Sequence, residues 1–288
     1  MQCTKRIEFF ILTAGFENDH CVRMGMKVEQ ILEQGSGAQN EDYLISEHDV
    51  FGVFDGSTSL DGAFFGDGRS GGAMASSIAG RAFLGGSEPL TGLGALANDS
   101  IRAQMELCGV DFSRRCGLWS TSAAVVRLRN GVIEWFQTGD SQVVFIGQDG
   151  NHRVATRRED HDFPTLSLIR EKGRHHPEVR KLVETIRQDM NRSYGVLNGE
   201  REAVDFFRTG MEDARNIKTV LIFTDGLDVP CPAPKKYKDF SCLVDMACEL
   251  GLEGLRDHVR SQEAADPDMK RYPRFKKHDD IAAIAIHL

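Results

Sequence analysis

Carboxylates recur at the ends of apolar runs in this 288-residue chain. The stretch FGVFDGSTS (Phe51 to Ser59) runs apolar and stops at Asp55-Gly56, and VLIFTDG repeats the shape with Asp225-Gly226. Glu41 and Asp42 stand just before another apolar run, and Asp279 and Asp280 open the C-terminal DDIAAIAIHL. An Asp closing a strand that is apolar on both faces sits at the rim of the core on rigid backbone. The glycine after it lets an ion or ligand approach the main-chain carbonyl. A single Asp-Gly pair more often does no more than make a turn. Recurrence changes the reading: if these ends meet, four or more carboxylates converge, and their repulsion calls for cations. Oxygen-only donors suit Mg²⁺ or Mn²⁺, and two such ions about 3.5–4 Å apart can activate water for attack on phosphorus. Spacing alone does not bring the ends together.

Other chemistries have less support. Ser57, Thr58 and Ser59 read as turn or capping residues, since nothing nearby forms a Ser-His-Asp arrangement. The 7 cysteines are an odd number without a C-x-x-C pair, which speaks against a disulfide framework and a structural zinc site. The 9 histidines form no H-E-x-x-H or H-x-x-x-H pair, and the adjacent His175 and His176 would point apart on a regular element. A net charge of −8 argues against general nucleic-acid binding and favours a multivalent cation as partner. No apolar run approaches the roughly 20 residues that span a bilayer. The N-terminal IEFFILTAG is short, contains Glu8, and reads as a strand rather than a signal peptide. The expectation is a cytoplasmic protein with no membrane partner.

The elements that must hold these carboxylates are mostly short β runs: Tyr43 to Ser46, Val50 to Asp55, Thr121 to Leu128, Val132 to Thr138, Gln142 to Ile146, Thr219 to Thr224 and Ile281 to His287. Hairpin-length turns such as RNG (Arg129 to Gly131) predict antiparallel pairing. Helical signals come in separate blocks. HPEVRKLVETIRQDM places Val179, Leu182, Val183, Ile186 and Met190 on one face, with Pro177 in the first turn. SCLVDMACELGLEGLRDHV carries Leu243, Ala247, Leu250 and Leu255 as a stripe, with Ser241 as N-cap. SGGAMASSIAGRAF and LGALANDSIRAQMEL are further helices, and the polar segment Arg157 to His176 reads as an excursion over the surface. Strands and helices in blocks predict an α+β layered fold. With neither an internal repeat nor a low-complexity linker, residues 1–288 read as a single domain.

The order of these segments resembles the metal-dependent PPM/PP2C Ser/Thr protein phosphatases. NEDYLI, FGVFDG, STSAAVV, QTGDSQVVFIGQDG, LIFTDGLDV and DDIAAIAI match the family's motifs in sequence from about Gly37 to Leu288. The resemblance implies a four-layer αββα sandwich, two antiparallel β-sheets flanked by helices, with two Mg²⁺ or Mn²⁺ ions and room for a third. Carried over, Asp55 bridges both metals, Glu41 and the Gly56 carbonyl hold one, and Asp225 and Asp279 hold the other. Asp42 orients the attacking water, so Asp42 and Asp55 are the catalytic pair. Asp279 rather than Asp280 falls on the ligand position, because Asp280 stands where the family usually has Asn; that assignment can shift by one residue. Asp140, in GDS, reads as securing its hairpin, and the short DGLDV spacing puts Asp228 in doubt as a third-metal ligand.

Two departures stand out. Ser57 replaces the histidine often given a general-acid role, and Gly37 replaces the arginine that clamps the substrate phosphate; Arg69, Lys276 or the REKGRHH stretch are the candidates to replace that arginine. The pattern resembles divergent stand-alone bacterial members. The implied activity is hydrolysis of phosphoserine and phosphothreonine in protein substrates by a metal-activated water. The alternatives are a catalytically weak or inactive regulatory module and a small-molecule phosphate-ester hydrolase. The substrate-binding residues, protein substrate and oligomeric state stay open.

Overall fold

Side chains alternate between the two faces of a strand, so a run that is apolar at every position must be covered on both sides. The computed structural model, which describes residues 26–288 apart from positions 59, 61, 67 and 158, follows that rule throughout its central strands. The IEFFILTAG segment lies outside the described residues. The strands are β1 (Lys27–Glu33), β2 (Tyr43–Glu47), β3 (Val50–Phe54), the short pair β4 (Phe64–Phe65) and β5 (Arg69–Ser70), β6 (Ala123–Arg129), β7 (Val132–Thr138), β8 (Gln142–Gly147), β9 (His152–Val154), β10 (Arg208–Asp213), β11 (Ile217–Phe223) and β12 (Ile281–His287). The helices are α1 (Gly71–Phe83), α2 (Leu90–Leu107), α3 (Phe163–Lys172), α4 (Pro177–Gln188) and α5 (Ser241–Ala264).

Two antiparallel sheets result, with strand orders β1-β12-β11-β8-β9 and β10-β7-β6-β3-β2. Phe51, Val53, Ala124 and Val126 from one sheet meet Val143, Val220, Ile222 and Ile284 from the other, forming the central core. The alternate residues Phe54, Val125 and Phe136 turn outward onto α1 and α2. On the opposite side Leu221, Phe223, Ile281 and Ala283 pack under Leu243, Leu252 and Leu255 of α5. The layer order is therefore αββα, as the family resemblance implies.

The differences have local causes. β1, β9 and β10 are not anticipated, because edge strands bury one face at most: β1 has a single buried residue, Ile31, and β10 has none. Ser241 is not the N-cap of α5 but its first residue; Asp239 accepts from the Ser241 amide at 3.1 Å and from its hydroxyl at 2.7 Å. Gly251, at φ +72°, interrupts that helix, so the Leu243–Leu255 stripe breaks and Leu250 is left 54% exposed. Within Arg157 to His176 a helix forms, α3, which buries Thr165 and Ile169 and packs against α4. Within α4 only Val179 of the expected face is buried, Leu182, Val183 and Ile186 are half-buried, and Met190 lies beyond the last helical residue; His176 caps the helix by accepting the Glu178 amide.

Candidate metal centre

Antiparallel register decides where the acidic strand ends fall. Tyr43 of β2 lies opposite Phe54 of β3, so Glu41 and Asp42 stand at the same end of their sheet as Asp55. Phe223 of β11 lies opposite Ala283 of β12, which brings Asp225 to the end where Asp279 and Asp280 begin. The two ends are tied across the sandwich. Thr224 Oγ1 donates to Asp42 Oδ2 at 2.7 Å, and the Glu41 amide donates to Asp280 Oδ2 at 3.0 Å. All four acidic segments meet at one rim.

Their charges are felt there. The Asp55 carboxyl is pushed well above the usual range by burial and then by Asp42, Asp225, Asp140 and Asp279. Burial likewise raises Asp225, followed by Asp279 and Asp140. For Asp42 burial again leads; the Thr224 hydroxyl opposes it, and Asp279 and Asp280 add to the rise. Desolvated like charges of this kind are stable as anions only beside cations.

The backbone here admits no side chain at its closest approaches. The Gly56 amide donates to the Glu41 carbonyl at 3.2 Å, and a Cβ on Gly56 would collide with the carbonyl oxygens of Glu41 and Gly72. A Cβ on Gly226 would collide with the Asp280 carbonyl. Glu41 is buried and fixed by the hydroxyls of Thr58 and Ser70, the latter at 2.5 Å. Asp279 Oδ1 accepts from Lys276 Nζ at 2.7 Å, and that ammonium lies 3.9 Å from both Glu41 and Asp280. Burial works against the Lys276 charge, yet Asp279 and Asp280 raise its pKa above the ordinary lysine value. Asp280 has a different task. Its oxygens accept the amides of Gly35 at 2.7 Å and Glu41 at 3.0 Å, so it anchors the backbone entering β2.

One group of side chains meets metal-ligand geometry as it stands. Among the described residues, Asp140, His161 and Asp162 place one ligand atom each within 4.8 Å of one another, whereas no three of the predicted carboxylate ligands Glu41, Asp55, Asp225 and Asp279 do so. His161 Nε2 lies 3.5 Å from Asp140 Oδ2, and its ring stacks on Tyr194 at 4.1 Å. Asp140 thus faces a partner beyond its own hairpin. Asp228 is engaged by Lys238 at 2.6 Å.

Solved structures share this architecture. The chain is similar to the Ser/Thr phosphatase Stp1 from Staphylococcus aureus, at 14% identity and TM-score 0.58, covering 95% of this chain and 99% of that one. It is also similar to the Mycobacterium tuberculosis Ser/Thr phosphatase PstP/Ppp, at 17% identity and TM-score 0.55 over 91% and 98%. The PPM Ser-Thr phosphatase MsPP from Mycobacterium smegmatis, solved with cacodylate, matches at 17% identity and TM-score 0.54 over 91% and 98%. The chain has the PPM/PP2C phosphatase fold. The PstP catalytic domain has been solved with 2 manganese ions. No protein-family model and no curated protein sequence matches this chain.

Within the PPM/PP2C fold, sequence reasoning does not find Thr224, Lys238, His161 or Asp162. Thr224 precedes Asp225 directly, and only the cross-sandwich contact with Asp42 reveals its role. His161 and Asp162 lie in the polar segment before α3, where no periodic pattern marks them.

Proposed function

We propose that this chain is a metal-dependent phosphatase acting on phosphoserine and phosphothreonine in proteins. The observation that carries the reading is the convergence of Asp42, Asp55, Asp225 and Asp279 at one rim, where their charges raise the Asp55 pKa after burial has done so. An all-oxygen donor set of this kind fits Mg²⁺ or Mn²⁺. Glu41, Asp55 and the Gly56 carbonyl would hold one ion and Asp55, Asp225 and Asp279 the second, both through oxygen alone; Asp140, His161 and Asp162, with one imidazole nitrogen among their donors, would hold a third. Bound divalent ions supply a nucleophilic water at neutral pH and neutralise charge on the phosphoryl oxygens.

The protein's own groups do the rest. Thr224 fixes Asp42 Oδ2, leaving Oδ1 to accept a hydrogen bond from the attacking water. Asp280 holds the Glu41 backbone, and Lys276 holds Asp279, so two ligand carboxylates are oriented by neighbours. No serine nucleophile is required, and Thr58 has a separate use in binding Glu41.

The test compares kcat/KM for a phosphothreonine peptide with that for a small aryl phosphate, both with Mn²⁺. Preference for the peptide supports a protein phosphatase, and preference for the aryl ester points to a small-molecule hydrolase. Absence of both activities in folded, Mn²⁺-loaded protein contradicts the enzyme and favours a regulatory module.

A further inference from the structure

A cavity of about 360 Å³ opens beside Glu41, walled by Arg174, Lys276, Lys277, Thr58 and the backbone around Gly37. Three of its side chains are cationic and one, Glu41, is a carboxylate. The arginine expected at position 37 is absent from the sequence, and the cavity wall at that position is bare backbone. We infer that Arg174 and Lys276 together form the clamp for the substrate phosphate, with Lys277 at the outer edge. This rests on the phosphatase reading for the identity of the phosphate, not for the cavity's charge.

The candidates separate by their engagements. Arg69 donates to Ser77 Oγ at 3.1 Å and does not border the cavity. Arg187, on α4, does not border it either. Arg174 borders it, and its guanidinium meets Met269 Sδ at 3.7 Å with no carboxylate paired to it among the described residues. A guanidinium in that state can offer a two-pronged set of N–H donors to a phosphate. Lys276 is placed between the cavity and the carboxylate rim: it borders the cavity and binds Asp279 at 2.7 Å. A phosphate held by both would lie against the wall that Glu41 forms, next to the proposed metal ligands. Arg174 comes from the turn between α3 and α4, so the clamp joins that helical pair to the loop before β12.

The test uses the full chain with Mn²⁺. Steady-state kinetics on a phosphothreonine peptide and calorimetric titration with inorganic phosphate are compared for wild type, Arg174→Met, Arg174→Lys, Lys276→Met and Arg187→Met, with Mn²⁺ affinity measured for each. Loss of one charge-assisted contact should raise KM and the phosphate Kd about tenfold or more in Arg174→Met. Mn²⁺ affinity should be unchanged in Arg174→Met, and Arg174→Lys should recover part of the loss. Lys276→Met should weaken phosphate binding too. Unchanged constants in Arg174→Met, or a loss confined to Arg187→Met, would overturn the clamp. The phosphate titration separates this from the function itself. A wild type that binds phosphate through Arg174 yet turns nothing over keeps the clamp and refutes the phosphatase, whereas turnover with Arg174 dispensable does the reverse.

Discussion

Asp280 and Thr224 show how much of the centre depends on residues that need not touch a metal. Asp280 is 3% exposed and accepts two backbone amides, one of them from Glu41. Asp280→Ala leaves the buried Glu41 amide and the half-buried Gly35 amide without this acceptor and should cost about 2–4 kcal/mol in urea unfolding with EDTA, while weakening Mn²⁺ binding. Asp280→Asn keeps one acceptor oxygen and should cost less; equal losses would show that the amides are satisfied another way. Thr224→Val removes the only hydroxyl on Asp42 Oδ2 among the described residues, and should lower kcat about tenfold while Mn²⁺ affinity stays near wild type. Unaltered kcat would show that the Thr224 hydroxyl is not what positions Asp42. At this scale the sequence was informative where chemistry and strand ends coincide, as at Asp55 and Asp225. It was silent on His161 beside Asp140, because that contact joins segments whose approach is decided by tertiary packing, and on the local pair Lys276 and Asp279, because no regular element there fixes where the side chains point.

Elements were legible in proportion to how completely they are buried. β3, β6, β11 and β12 are apolar on both faces and stand out in the sequence, while β1 and β10 are polar edges and do not. β1 is instead secured by charge. Glu33 accepts from Arg260 at 2.7 Å and is also paired with Arg256 at 2.5 Å, both on α5, and the ion pairs are largely shielded from solvent. Burial pushes the Glu33 pKa up, but the hydrogen bonds from Arg260 and Arg256 outweigh it and the net shift is downward. A depressed carboxyl contributes stability that is fully present above its unfolded pKa, about 4.3, and is lost as pH falls through the folded value. Glu33→Gln should therefore cost about 1–2 kcal/mol at neutral pH and converge on wild type in acid, as read by chemical unfolding across that range. A difference independent of pH would mean that the contact is held by packing and not by charge.

For the molecule as a whole, the αββα layering sets two sheets face to face so that four acidic segments share a rim. No helix among the described residues is long and apolar enough to cross a membrane. Asp42, Asp55 and Asp225 have pKa values raised by burial first, with carboxylate neighbours adding to the rise, Asp42 and Asp225 at Asp55 and Asp279 at the other two, so their sign is opposite to that of Glu33. Without metal, their contribution should fall as pH rises from the unfolded aspartate value of about 3.9 through the raised folded values. Mn²⁺ competes with those protons, so the Tm increment it gives should grow over the same interval. An increment independent of pH would place the ion elsewhere. The most direct measurement is hydrolysis of a phosphothreonine peptide by wild type with Mn²⁺, by wild type with EDTA, and by Asp55→Asn with Mn²⁺. Turnover that requires Mn²⁺ and disappears in Asp55→Asn is the predicted result; turnover that persists in EDTA, or in the variant, would contradict a metal centre built on Asp55.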